Sequence, residues 1–218
     1  MTTFNEQKLY CMLTFQIQYQ QEYSRGELLL RTFFGWLYIG IPHGLLLLFF
    51  GIVFWFMSLA SFFIILFTGV TPKWYYEWVV KLQRWGLRVN SRMYNLADGY
   101  PSFWMDGTDD KTTFDLKFWQ ISRGELLLRT FFGIIYAGIP HILALYIRMI
   151  ATCVLSFLAF FAVLFTGKYP ENWHRFNVGT MRWSARLNLY LTWLYRDYPP
   201  FNGKPDEDLL KNLDHLKS

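Results

Sequence analysis

Two histidines are the first residues in this sequence whose type and placement could do chemistry. His43 and His141 each follow an Ile-Pro pair, and they lie 98 residues apart. Two imidazoles brought together across a pseudo-two-fold axis could ligate a haem iron or a metal ion. The preferred alternative puts each ring at the start of a long helix, at headgroup depth, where it stays hydrated and serves the open helix terminus. No cysteine or carboxylate completes a metal site nearby in the sequence. No metal and no cofactor is therefore expected beyond bound phospholipid, and a bis-histidine haem electron carrier is the weakest functional reading.

Arginines are the second group. Arg84, Arg88 and Arg92 fall on one stripe with Glu77 and Lys81 by steps of three and four, opposite Trp78, Leu82, Trp85, Val89 and Met93. Arg175, Arg182 and Arg186 form the counterpart stripe beside Phe176, Trp183 and Leu187. A cationic helix rich in tryptophan most often meets anionic lipid. An acidic partner is the next expectation, and pairing with Glu27 and Glu125 inside the fold is the third. Arg148 stands alone in an otherwise uncharged block, where Phe50 occupies the equivalent place. A charge within a membrane segment is a functional candidate by default, set against snorkelling or structural pairing.

Gly-rich phosphate loops, Ser-His-Asp orders, HExxH and paired CxxC are all missing, so no catalytic residue and no enzyme is expected.

The elements that must position these residues follow from composition. Of 218 residues 53% are hydrophobic and 21% aromatic, against 17% charged, which is lipid-facing material. From Leu45 to Phe67 no side chain is ionisable, and Ile142 to Phe165 carries a single charge, Arg148. As a helix the first block reaches roughly 35 Å, enough for a hydrocarbon core of about 30 Å. The net charge of +5 sits beside these blocks, which points to lipid headgroups and away from nucleic acid. Cys11 and Cys153 fall in different environments and are read as free thiols.

Ser24 to Gly35 reads SRGELLLRTFFG, and Ser122 to Gly133 repeats it. The same offset relates Gly40-Ile41-Pro42-His43 to Gly138-Ile139-Pro140-His141, Arg84-Trp85 to Arg182-Trp183, and Tyr100-Pro101-x-Phe103 to Tyr198-Pro199-x-Phe201. The chain divides into a polar N-terminal segment 1–23, membrane repeat 24–103, acidic linker 104–121, membrane repeat 122–201 and charged tail 202–218. Each repeat opens on an alternating strand, Leu13 to Tyr19 or Phe114 to Phe118, and the two strands could pair. A helix over 27–41 then ends at Pro42, a long apolar helix ends at Thr68-Gly69, and the cationic amphipathic helix follows. Gly44, Gly51 and Ser58 space a narrow face on the first apolar helix, as suits either close packing or ordinary glycine use. The favoured topology returns the third helix through the membrane, so both repeats enter from one side. Arg25, Arg31, Arg123 and Arg129 then make that side, and the termini, cytoplasmic, although Lys73 and Lys168 at the far turns oppose this.

An arginine-led helix, Ile-Pro-His, a long apolar helix, Leu-Phe-Thr-Gly-x-x-Pro, Arg-Trp-x-x-Arg and Tyr-Pro-Pro-Phe together resemble the bacterial membrane family known as domain of unknown function 4389. The second copy fits best, through Leu164-Phe165-Thr166-Gly167-Lys168-Tyr169-Pro170 and Tyr198-Pro199-Pro200-Phe201; the first departs at Val70-Thr71 and Ser102. The resemblance implies the architecture and a bacterial inner membrane, and no activity. The fold expected is a mostly α, polytopic helical membrane protein of two tandem repeats with short extramembrane strands. Its expected role is a non-catalytic accessory or scaffold subunit with membrane-protein partners and anionic-lipid contacts. A lipid-binding or lipid-transport module is the alternative.

Overall fold

In the computed structural model, residues 13–206 are described and are mostly helical. In chain order they form β1 (Leu13–Ile17), α1 (Arg25–Thr68), α2 (Lys73–Met93), β2 (Thr112–Leu116), α3 (Arg123–Thr166) and α4 (Glu171–Leu191). Cys11 and the tail beyond Asp206 lie outside the described residues.

Both long helices start at the same signal. The Ser24 hydroxyl accepts the Glu27 N–H at 3.3 Å, and the Ser122 hydroxyl accepts the Glu125 N–H at 3.2 Å, each satisfying a donor of the open first turn. The expected break at Pro42 does not occur. The helix widens into a π-turn over Trp36–Gly40 and continues, and α3 does the same over Ile134–Gly138. Proline has no N–H for the carbonyl four residues earlier, and the wide turn frees that carbonyl for another donor. Tyr100 Oη supplies it to the Tyr38 carbonyl at 3.1 Å, and Tyr198 Oη to the Tyr136 carbonyl at 3.1 Å. Two expected helices are thus one helix of 44 residues in each half. Each ends where Gly69 or Gly167 takes a left-handed conformation, at φ 75° and 73°, as the Thr-Gly pairs foretell.

The strands pair antiparallel, with Leu13 opposite Leu116, Phe15 opposite Phe114 and Ile17 opposite Thr112. Alternation sends Leu13, Phe15, Ile17, Phe114 and Leu116 inward, and leaves Gln16, Thr113 and Asp115 exposed.

α2 and α4 form a middle layer. α2 meets α1 through Trp85 on His43 and Trp78 on Phe50 and Phe54, and meets β2 where Tyr76 Oη donates to the Leu116 carbonyl. α4 meets α3 through Thr180 and Thr152 at 3.0 Å, and β1 through Arg182. The start of each long helix sits at the end of the other: Arg25 donates to the Phe165 carbonyl at 3.2 Å, and Arg123 to the Phe67 carbonyl at 2.9 Å. Those guanidinium groups satisfy carbonyls that a helix C-terminus leaves open. The order of layers is long apolar helices, amphipathic helices, then sheet and loops.

Candidate functional site

The residues common to both halves converge on two matching aromatic boxes. Trp85 Nε1 donates to His43 Nδ1 at 3.0 Å, and Trp183 Nε1 donates to His141 Nδ1 at 2.8 Å. Phe103 stacks on His43 with ring centroids 4.1 Å apart, and Phe201 on His141 at 3.9 Å. Tyr100 and Tyr198 pack obliquely on the same rings while their hydroxyls hold the carbonyls freed by the prolines. Neither histidine has exposed surface, which corrects the expectation of a hydrated ring at a helix start. The helix does not start there, and the Tyr-Pro-x-Phe run closes over the ring.

This chemistry does not fit a haem. An indole N–H only donates, so Nδ1 accepts and a neutral ring keeps its proton on Nε2. Nε2 is itself buried without a protein partner in both rings, and one ring face is taken by phenylalanine. No lone pair is left facing outward. Among the described residues no three His, Cys, Asp or Glu side chains gather as a metal site.

The arginine stripes point into the protein. Arg88 donates to the carbonyls of Gly107 and Trp104, and Arg92 makes a paired contact with Asp109 at 2.7 and 2.9 Å while also reaching Thr112. Burial alone would raise the Asp109 carboxyl, but hydrogen bonds from Arg92 and the Lys111 N–H outweigh it and hold the group below its ordinary value. Arg182 donates to the Phe15 carbonyl at 3.0 and 2.7 Å and to the Gly203 carbonyl at 2.6 Å. Arg186 binds Asp206 and the carbonyls of Lys204 and Asn202. Lipid and partner contact therefore do not describe these four; each fixes a loop or strand to its helix, because carbonyls and carboxylates lie within reach and water does not. Arg84 bonds the Phe114 carbonyl at 3.2 Å, and exposed Arg175 pairs with Glu171 at 2.6 Å.

Arg148 also turns inward. Its guanidinium donates to Thr180 at 2.9 Å and the Phe176 carbonyl at 3.2 Å, and it lies 4.1 Å above the Phe176 ring. It borders a cleft of about 1040 Å³ that also presents His174, Arg175, Arg182 and Lys204.

The stripe arginines do not pair with Glu27 and Glu125, as their third expected role required; those carboxylates meet other arginines. Glu27 pairs with Arg31 at 2.8 Å and Glu125 with Arg129 at 3.7 Å, and Arg31 reaches Asp98 at 2.7 Å. The tyrosine and phenylalanine of Tyr-Pro-x-Phe were visible as repeated residues, but their contact with the histidines depends on a long return of the chain. Asp98 gave no signal, since it lies in no repeated motif, and Asp206, expected at the start of a charged docking tail, is instead buried against Arg186.

The remaining surface feature is apolar. Along α1, exposed large side chains follow one face from Leu30 and Phe33 through Leu45, Ile52 and Trp55 to Phe67; α3 does likewise from Leu128 to Phe165. By length and composition both helices can cross a membrane.

Residues 123–202 match the model of a family described as a domain of unknown function, DUF4389. No curated protein and no solved structure matches the chain. The DUF4389 segment takes in α3, α4 and the whole second box, His141, Trp183, Tyr198 and Phe201. The equivalent residues of the first half lie outside it.

Proposed function

We propose that this chain is a non-catalytic, membrane-seated accessory or scaffold subunit, built from two copies of the DUF4389 unit and residing in a bacterial inner membrane. One observation carries the reading: two 44-residue helices expose a continuous aromatic and aliphatic face, while the polar groups behind it are tied to each other. A soluble monomer rarely leaves a face of that size uncovered. Anionic-lipid contact falls to exposed Arg25, Lys73, Arg123 and Lys168 at the ends of the long helices. The sheet face, with Gln16, Thr113 and Asp115, is the surface offered to protein partners.

Mass analysis of the complex extracted gently from its native membrane tests this role. Stoichiometric partner proteins are expected; a solitary chain at its own mass would overturn it. A lipid-binding or lipid-transport module is the second reading, favoured by the cationic cleft beside Arg148 and Lys204. Under that reading the solitary chain carries defined anionic lipid, and Lys204→Ala with Arg175→Ala reduces its retention.

A further inference from the structure

Both ends of each long helix are tied to one small sheet, and this constrains how the apolar face meets lipid. β1 ends at Ile17, and seven residues later Ser24 caps the start of α1. The same connector holds the end of α3: the Tyr23 N–H donates to the Gly167 carbonyl at 2.8 Å, and Tyr19 Oη to the Tyr169 carbonyl at 2.7 Å. β2 ends at Leu116, and its connector holds the end of α1 before starting α3. There the Thr71 N–H donates to Gln120 at 2.8 Å and Arg123 reaches the Phe67 carbonyl. β1 and β2 are hydrogen-bonded to each other throughout. The sheet therefore lies level with the middle of α1 and α3, and a connector leads from it to each end.

An upright α1 would place this sheet at mid-bilayer. Its outward side chains Gln16, Thr113 and Asp115 are exposed, and hydrocarbon would strip them of water at a cost that is greatest for the Asp115 carboxylate. The solvent-facing pair Lys81–Asp106 lies at the same level, since Trp78 and Trp85 on either side of Lys81 pack on Phe50 and His43. Charges there are strongly disfavoured in lipid. Length agrees: 44 residues make about 66 Å of helix, beyond the roughly 40–45 Å of a bilayer with its headgroups.

We propose that α1 and α3 lie in the plane of the membrane with their apolar face in one leaflet and the sheet in water, so that the protein enters from one side and crosses nowhere. This replaces the returning third helix, and it rests on the reading of the apolar face as lipid-facing. Lys73, Lys168, Arg25 and Arg123 then sit at the rim, level with headgroups.

The test uses the full chain in cells, with Cys11→Ser and Cys153→Ala as background and single cysteines introduced by Gln21→Cys before α1 or Val70→Cys after it. An impermeant maleimide is applied to spheroplasts and to inverted vesicles. Both positions are expected to label in the same preparation and neither in the other. Labelling from opposite sides would overturn the proposal in favour of a spanning helix. Nitroxides at Leu37, Phe49 and Phe63 add depth: equal shallow values are expected, and a maximum at Phe49 would again mean a span. Release by alkaline carbonate would overturn the membrane reading itself, and the in-plane arrangement with it.

Discussion

The two halves build the same aromatic box on different supports. In the first, Phe50 packs edge-on against Trp85 and Trp104, and the following loop is held by Arg88 on carbonyls and Arg92 on Asp109. In the second, Arg148 takes the place of Phe50, and the loop comes down until Gly203 meets Gly179, where a Cβ on Gly203 would collide with the Gly179 backbone and one on Gly179 would crowd Arg148 and Gly203. Lys81 and Met105 occupy those two places in the first half, so that approach is closed to it. Arg186, fully buried, carries the buried carboxylate of Asp206. The difference teaches that the box is the shared structural unit, while the charge network beneath it varies with how closely the loop approaches.

The largest effect should come from removing the guanidinium that holds a carboxylate. Arg186→Ala leaves Asp206 buried and unpaired, a loss of about 3–5 kcal/mol. Arg88→Ala leaves only carbonyls open and should lose about 1–3 kcal/mol, because neutral groups are cheaper to strand. Denaturation midpoints in detergent read both, and equal losses would break the comparison. Next, Trp85→Phe and Trp183→Phe should each cost about 1–3 kcal/mol by stranding a histidine nitrogen. Here the halves should agree, and a twofold disagreement would mean the boxes are not equivalent.

Arg148→Phe imports the first half's residue into the second. The Thr152–Thr180 hydrogen bond remains, so a loss of about 0.5–1.5 kcal/mol is expected with no change in co-purified anionic lipid. A drop in lipid would show that the guanidinium reaches headgroups. The smallest effect is one of pH. Because the folded Asp109 carboxyl sits below its unfolded value of about 3.9, its contribution is complete above that value and fades as pH falls through the folded one. Asp109→Asn should be less stable at neutral pH and flatter on acidification, as thermal melts from pH 6 to pH 3 would read.

Local features were legible from the chain. The strands lie within two residues of their expected positions, because alternation over five residues is a short-range signal. Thr68-Gly69 and Thr166-Gly167 end their helices as foretold. Pro42 misled, since the Tyr38 carbonyl it leaves open is taken by Tyr100, 62 residues further along. The arginine stripes misled in the same way: their spacing gives the helix face, but Gly107, Gly203 and Asp206 come to that face only by chain return.

The sequence by itself determined the two apolar helices, the repeated motifs and the facing residues of each amphipathic helix, all of which follow from periodicity and local backbone preference. Only the tertiary structure decided what those faces meet. Hydrogen bonds across 42 residues hold the histidines, bonds across 16 to 167 residues turn the arginines inward, and bonds across 49 to 150 residues tie both ends of each long helix to one sheet. Spacing along a chain fixes direction on an element, whereas partners depend on where distant segments close.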